Sequence, residues 1–261
     1  MKKTISGLNA FNLMLVTTVP ELTRTYTPIS HSAIINQTRK EIGKTGFRIL
    51  GDDYRATSNG QLTIGTYRIE YKQDPDIELM VAFLNSYDKS YAFRFAMGAN
   101  VKASGNSMFL SDTSFGFYKK FHKGDASILS ANNISKMISG ADKYWESLIK
   151  AKDAMKSCII NDRRAYEIIG HLFFDSEILN GYQMNIIKEQ IKKVGYEYNC
   201  HPKSLWAYFN HITLSLKDAH PSDWIDYHKD LFDMLNTEFS LIGEPAAEEQ
   251  PIFAFSEPLF G

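Results

Sequence analysis

The chain is poor in the features that build cross-linked or membrane-spanning proteins. Only two of its 261 residues are cysteines, too few for the disulfide framework of a small secreted domain. No stretch approaches the ~18 consecutive apolar residues of a membrane span. The apolar segment near the N-terminus is interrupted by Asn9 and Asn12, and no small-residue cleavage site follows it. We therefore expect a protein of the reducing cytoplasm that does not enter a membrane.

The sequence also lacks the motifs of the common enzyme classes. It contains no G-x-S-x-G nucleophile elbow, no H-E-x-x-H zinc motif and no complete phosphate-binding loop. Asp52-Asp53 has no accompanying acidic motif and is interpreted as a solvated turn. The late histidines have no zinc-ligand spacing; they are His201, His211, His220 and His228. We expect a non-enzymatic protein without a metal or a cofactor.

Period-two alternation in the first half of the chain predicts antiparallel strands. In residues 79–110 an apolar run and a strictly alternating run flank the polar turn at residues 85–90, which is typical of a β-hairpin. Asn59-Gly60 between two strand-like runs predicts a second hairpin. The buried parity changes between Ile64 and Tyr67, which predicts a β-bulge at Gly65.

The second half of the chain has helical periodicity, with apolar residues three and four positions apart. We therefore predict an α+β fold with an antiparallel β-rich N-terminal half, one early helix and a helical C-terminal half. Residues 1–124 form the basic β-rich region, and residues 125–240 form a helical region packed on it, either as one domain or as two. Residues 241–261 form a flexible acidic and aromatic tail.

The net charge of −1 conceals a strong asymmetry along the chain. Residues 1–123 contain 16 lysines and arginines against 10 aspartates and glutamates. Residues 241–261 contain four glutamates and no basic residue. A basic β-rich half followed by an acidic tail favours an anionic partner for the sheet.

Basic and aromatic residues are interleaved on the predicted strands and turns, as in sheets that hold single-stranded nucleic acid. The predicted phosphate contacts are Arg68, Lys72, Lys89, Arg94, Lys102, Lys119 and Lys120. Tyr87 and Tyr118 are the predicted base-stacking residues, although strand alternation leaves open that they belong to the core. If the interface exists, its cations should share one face of the sheet.

The C-terminal segment combines glutamates and prolines with isolated bulky apolar residues. It resembles the acidic tails of bacterial and phage single-stranded DNA-binding proteins, although a run of consecutive aspartates is missing. That resemblance implies docking of replication or recombination proteins. The expected contacts in the tail are Ile252, Phe253, Phe255 and Phe260.

Several motifs resemble a family of phage- and plasmid-encoded proteins of unknown function. They begin with Pro28-Ile29-Ser30-His31 and the turn at residues 85–90, and they extend through Asn106 to the segment between Leu205 and His228. The chain departs from the family at two positions, with Tyr87 in place of histidine and Ser104 in place of cysteine. The resemblance implies a shared fold and a mobile-element origin, and it brings no catalytic residue.

These observations predict a phage-type protein that binds single-stranded nucleic acid during replication or recombination. Single-stranded DNA is the expected partner, and single-stranded RNA is the alternative. The sequence is compatible with a homo-oligomer. The protein would act in the cytoplasm of an infected or plasmid-bearing bacterium. The alternative is a non-enzymatic phage interaction module, either an inhibitor of host defence or a virion-associated protein.

Overall fold

The computed structural model describes residues 5–8, 13, 18–110 and 115–242. The remaining residues lie outside this description, including 243–261 of the predicted tail. The tail contacts proposed at Ile252, Phe253, Phe255 and Phe260 are therefore outside the described residues and stay predictions.

The described part of the N-terminal half forms a seven-stranded antiparallel sheet. Its strands are β1 (Ile5–Leu8), β2 (Arg48–Thr57), β3 (Leu62–Glu70), β4 (Ile77–Ser86), β5 (Phe93–Val101), β6 (Asn106–Phe109) and β7 (Phe117–Lys120). Strands β1 to β6 neighbour one another in chain order, and β7 also pairs with β5. Because β6 and β7 pair with successive parts of β5, they form one interrupted edge of the sheet.

The predicted hairpin in residues 79–110 is confirmed by the pairing of β4 with β5. Its turn is closed locally, since Asp88 Oδ1 accepts hydrogen bonds from the hydroxyl of Ser86 and the backbone N–H of Ser90. Lys89 has a φ of 65°, the left-handed conformation that such a tight connection requires.

Both faces of the sheet are buried over most of its centre, which explains the change of parity in β3. Tyr67 belongs to the main hydrophobic core, whereas Ile64 belongs to a smaller cluster on the opposite face. The predicted bulge at Gly65 is wrong, because the register there is regular; the irregularity lies between Ile49 and Gly51. Gly65 instead makes room for the ring of Phe83, which a Cβ would approach to 2.3 Å.

Seven α-helices occur in the described residues, one before β2 and six after β7. They are α1 (His31–Lys44), α2 (Ala126–Ser139), α3 (Ala141–Ser157), α4 (Asp162–Phe174), α5 (Gly181–Lys192), α6 (Leu205–Ser215) and α7 (Pro221–Phe239). The predicted α+β class, with one early helix and a helical C-terminal half, is confirmed. Within the described ranges, no helix combines the length and apolar character that spanning a membrane would require.

The helices cover the two faces of the sheet unequally. The main core contains Phe83 and Phe95 of the sheet together with Tyr144 of α3 and Trp206 of α6. The smaller cluster on the other face includes Ile225 of α7, and Trp224 packs against this cluster. Strands that are buried on both faces have long apolar runs in their sequence, and β4 is an example.

A buried ion cluster joins the β3–β4 connection to α3. The Nζ of Lys152 lies 2.5 Å from Asp74 Oδ2 and 3.4 Å from Asp76 Oδ2, and Lys156 binds Asp76 at 2.5 Å. Asn199 donates a further hydrogen bond to Asp76. Since the side chains of Lys152 and Asp76 are only 5% and 4% exposed, each charge depends on its partners for compensation.

Replacement of Lys152 by alanine should therefore destabilise the protein strongly. We expect the free energy of unfolding to fall by roughly 3–5 kcal/mol, because a buried carboxylate loses its compensating charge. Urea denaturation measures the change. Lys143→Ala, at an exposed position of the same helix, should alter the free energy by less than about 0.5 kcal/mol. Equal losses in the two variants would contradict this role of Lys152.

Candidate nucleic-acid interface

The predicted phosphate contacts do not share one face of the sheet. In the β5–β7 pair Lys119 lies opposite Arg94, and Lys120 lies opposite Phe93. Directly paired residues share a face and successive residues alternate, so Lys119 and Lys120 point to opposite sides. The expectation of a single basic face is therefore wrong.

Three of the predicted cations are engaged by carboxylates. Lys72 Nζ lies 3.0 Å from Asp142, and Arg68 Nη1 lies 3.6 Å from Glu78. Arg94 is 7% exposed, and its Nη2 lies 2.6 Å from Asp226 of α7. Arg94 is thus a buried cation that attaches α7 to the sheet, which corrects its assignment as a phosphate contact.

Neither predicted stacking residue presents a free ring. Tyr87 is 3% exposed, and its ring stacks on His31 with the two centroids 3.8 Å apart. Its hydroxyl accepts a hydrogen bond from the backbone N–H of His31, so Tyr87 belongs to the core. Tyr118 is half-buried, with its ring at an angle of 66° to that of Phe93. The assignment of Tyr87 as a base platform is therefore wrong, and Tyr118 offers only part of its ring.

Four lysines near one end of the sheet have no carboxylate partner among the described residues. Lys89, Lys119 and Lys120 belong to the predicted set, and Lys123 lies three residues beyond. We call these four residues the lysine edge. Lys102 is separate from them, because it lies beyond the opposite end of β5 and donates a hydrogen bond to the carbonyl of Asp74.

Contacts through Tyr26 place the turn that carries Lys89 beside the segment that carries Lys123. Lys89 Nζ lies 4.6 Å from the centroid of the Tyr26 ring, and the ring of His122 lies 5.7 Å from it. The carbonyl of His122 accepts a hydrogen bond from Thr27 N–H at 2.9 Å. The hairpin turn that carries Lys89 and the segment after β7 are thereby held side by side.

An exposed aromatic residue outside the predicted set, Phe121, lies beside these lysines. Phe121 is 66% exposed and follows Lys120 directly at the end of β7. Strand alternation no longer places its ring against the core, because the strand has ended. The signal in the sequence was the K-K-F-H-K run at residues 119–123, in which the bulky apolar residue is surrounded by cations.

The turn that carries Lys89 rests on a buried polar junction. His31 Nε2 lies 3.0 Å from the carbonyl of Gly60, and its Nδ1 lies 2.8 Å from the amide nitrogen of Asn85. The amide is a donor, so Nδ1 is the acceptor and Nε2 carries the proton in a neutral ring. Asn85 also donates to the carbonyl of Ile29, which connects the hairpin to the N-terminus of α1. This junction includes the residues at which the family resemblance is densest.

The described residues offer no metal centre. They contain no group of three or more His, Cys, Asp and Glu side chains placed to hold an ion. His211 and His228 of the late histidine set are buried, at 2% and 0% exposure. Both belong to the packing around α6 and α7.

Comparison with known proteins supplies no relative from which a function could be transferred. No family model matches the chain, and no curated protein or solved structure matches it significantly. The resemblance to the phage and plasmid family stays a prediction, and the surface chemistry has to carry the functional argument.

The buried histidines should make stability depend on pH. Burial lowers the pKa of His31, His211 and His228 to about 4 each, from about 6.5 in the unfolded chain. Between pH 6.5 and 4 the unfolded state therefore binds more protons, and stability is lost as the pH falls. Each ring contributes a slope of up to about 1.4 kcal/mol per pH unit in that window.

Urea denaturation at several pH values between 4.5 and 6.5 measures this slope. His31→Gln should reduce it by about 1.4 kcal/mol per pH unit, apart from any change in absolute stability. His201→Gln, at an exposed loop position, is the matched control for the replacement of an imidazole by an amide, and the slopes of the two variants are compared. An unaltered slope in His31→Gln would show that this ring does not titrate between the two states.

Proposed function

We propose that the protein is a non-enzymatic, phage-type binder of single-stranded nucleic acid that acts in replication or recombination. The lysine edge contacts the phosphates, and Phe121 provides the surface on which a base stacks. One observation carries the proposal: four lysines that have no carboxylate partner among the described residues lie at the same end of the sheet as Phe121, the most exposed aromatic residue that the structure describes in the β-rich half.

The absence of carboxylate partners is what distinguishes these lysines energetically. A cation already paired with a carboxylate must exchange one anion for another, so it gains little from a phosphate. A solvated lysine releases condensed counterions from the strand when it binds a phosphate, and this release drives association. The lysine edge is therefore a better phosphate surface than Lys72 or Arg94.

The exposed ring favours a single strand over a duplex. Base–aromatic stacking contributes roughly 1–3 kcal/mol per base and needs an unpaired base with an accessible face. Phe121 can supply that platform, whereas Tyr87 cannot. Stacking on phenylalanine is tolerant of sequence, which suits a protein that covers strands during replication or recombination. It is equally available to RNA.

The alternative function, a phage interaction module, has support from a different surface. Tyr166 and Phe174 of α4 and Tyr182 of α5 are 56%, 77% and 65% exposed. Exposed aromatic residues of this size are enriched at protein interfaces. A protein partner or a second copy of the chain on these helices is compatible with strand binding at the lysine edge.

Strand binding can be tested with a fluorescently labelled oligothymidylate whose anisotropy is followed across salt concentrations. Four phosphate contacts predict a slope of log K against log salt near about −3. Lys119→Ala/Lys120→Ala should reduce its magnitude by about 1.4. Phe121→Ala should weaken binding roughly 5- to 150-fold at constant slope, because stacking involves no counterion release.

Two variants serve as matched controls for this experiment. Tyr182→Ala removes an aromatic ring of nearly the same exposure, 65%, from the helical half. Arg48→Ala removes an exposed cation that is paired with Glu70 at 2.6 Å. Both should bind the strand as the wild type does. No binding at low salt, or equal losses in the control and test variants, would refute the proposal.

The acidic tail gives a separate prediction. If its glutamates compete with the strand for the lysine edge, deletion of residues 244–261 should tighten strand binding, and most strongly at low salt, where electrostatic competition is greatest. Anisotropy titrations of the full-length and truncated chains measure the effect. Identical affinities would exclude competition by the tail, but they would not contradict strand binding by the lysine edge.

A further inference from the structure

A second candidate site lies on the face of the sheet opposite the main core. A cleft of about 450 Å³ opens there between strands β2 to β6 and the segment that connects α6 to α7. Residues that line it include Arg55, Arg68, Asn100, Ser107, Lys217 and Trp224. The cleft shares no residue with the lysine edge, and its volume is typical of sites for small organic ligands.

The guanidinium of Arg68 lies over the backbone of Gly51 in β2. A Cβ at Gly51 would lie 2.9 Å from Arg68 Nη2, so the bare backbone of β2 provides the space that the guanidinium occupies. The side chain is 49% exposed, and its carboxylate neighbour Glu78 is 3.6 Å away, beyond hydrogen-bond distance. The guanidinium therefore retains donors for a ligand in the cleft.

Lys217 supplies a second cation whose charge is poorly compensated. Its ammonium donates a hydrogen bond to the backbone carbonyl of Ser104, beside Gly105, which has a φ of +66°. Desolvation lowers the pKa of Lys217, and no carboxylate among the described side chains offsets this effect. An anion bound in the cleft would restore the stabilisation that the ammonium loses there.

The carboxylates that also line the cleft are already engaged. Asp52 accepts hydrogen bonds from Arg39 and from the hydroxyl of Tyr54, and Asp53 is paired with Arg55 at 2.9 Å. The negative charge is thus neutralised at the β2 side of the cleft. Arg68 and Lys217 are the cations left to meet an anion.

An aromatic wall stands beside these cations. Trp224 packs edge-on against Phe109, with the ring centroids 5.2 Å apart and the ring planes at 89°. Met80 and Ile64 continue the apolar surface, and Asn100 adds a polar group. A fixed indole next to two cations suits a ligand that has both a planar ring and an anionic group.

We propose that the cleft binds a small phosphate monoester that carries an aromatic base, a ligand of the mononucleotide class. The phosphate lies between Arg68 and Lys217, because an arginine fork and an ammonium together match phosphate oxygens. The base lies against Trp224. This site is independent of the strand-binding proposal, since different residues form the two surfaces.

Tryptophan fluorescence provides a direct readout with adenosine 5′-monophosphate as the probe. The chain has three tryptophans; Trp145 and Trp206 are 4% and 0% exposed, whereas Trp224 is half-buried in the cleft wall. Saturable quenching by the nucleotide is expected. Adenosine and inorganic phosphate, which each supply half of the ligand, should bind at least tenfold more weakly.

Variants assign the quenching to the cleft. Arg68→Ala and Lys217→Ala should each weaken nucleotide binding at least tenfold, and thermal unfolding verifies that both are folded. Arg48→Ala, outside the cleft, and Phe121→Ala, beside the lysine edge, should bind the nucleotide normally. The proposal is overturned if the nucleotide does not quench, if Arg68→Ala and Lys217→Ala bind it like the wild type, or if phosphate alone binds as well. Loss of nucleotide binding in Phe121→Ala would overturn it too, by placing the nucleotide at the lysine edge.

Discussion

The fold depends on the burial of β4 from both sides. Nine of its ten residues are buried, with Phe83 directed into the main core and Leu84 into the smaller cluster. Since successive side chains of a strand alternate, this single strand links the helices that cover one face with α7, which closes the other. The same arrangement decides which side chains at this end of the sheet are buried and which are exposed. Arg94 is drawn inward to Asp226 because α7 covers its face, and Phe121 stays outside because the edge strand ends before it.

The elements that depend on local sequence patterns were predicted correctly. The predictions of burial and exposure were wrong where they depend on distant parts of the chain. The β4–β5 hairpin, the early helix and the helical second half follow from periodicity and turn chemistry. Alternation alone could not reveal that the second face of the sheet is also covered, so a bulge at Gly65 and an exposed Arg94 were predicted instead. Tyr87 failed for a related reason: a residue in a polar turn is expected to be exposed, but α1 places His31 against its ring.

The residues that carry the family resemblance are largely those that hold the fold together. His31, Asn85, Asn106 and His228 are all 0–1% exposed. Asn85 and His31 connect the hairpin to α1, and Asn106 donates to the backbone carbonyl of Asn210 in α6. Buried polar groups of this kind constrain the architecture, because each must keep its hydrogen-bond partners. They do not identify a function, which here has to be sought among exposed residues such as Lys89 and Phe121.

The lysines of β7 have a structural explanation as well as a functional one. Charged side chains on an edge strand oppose pairing with the edge of another sheet, and β7 is such a strand. That explanation covers Lys119 and Lys120. It does not cover Lys89 and Lys123, which lie outside the strands, and it is contradicted by Phe121, because a large exposed apolar ring at an edge promotes association. Cations beside an exposed aromatic ring suit a ligand that is both anionic and planar, and single-stranded nucleic acid, the ligand proposed above, has these two properties in every nucleotide.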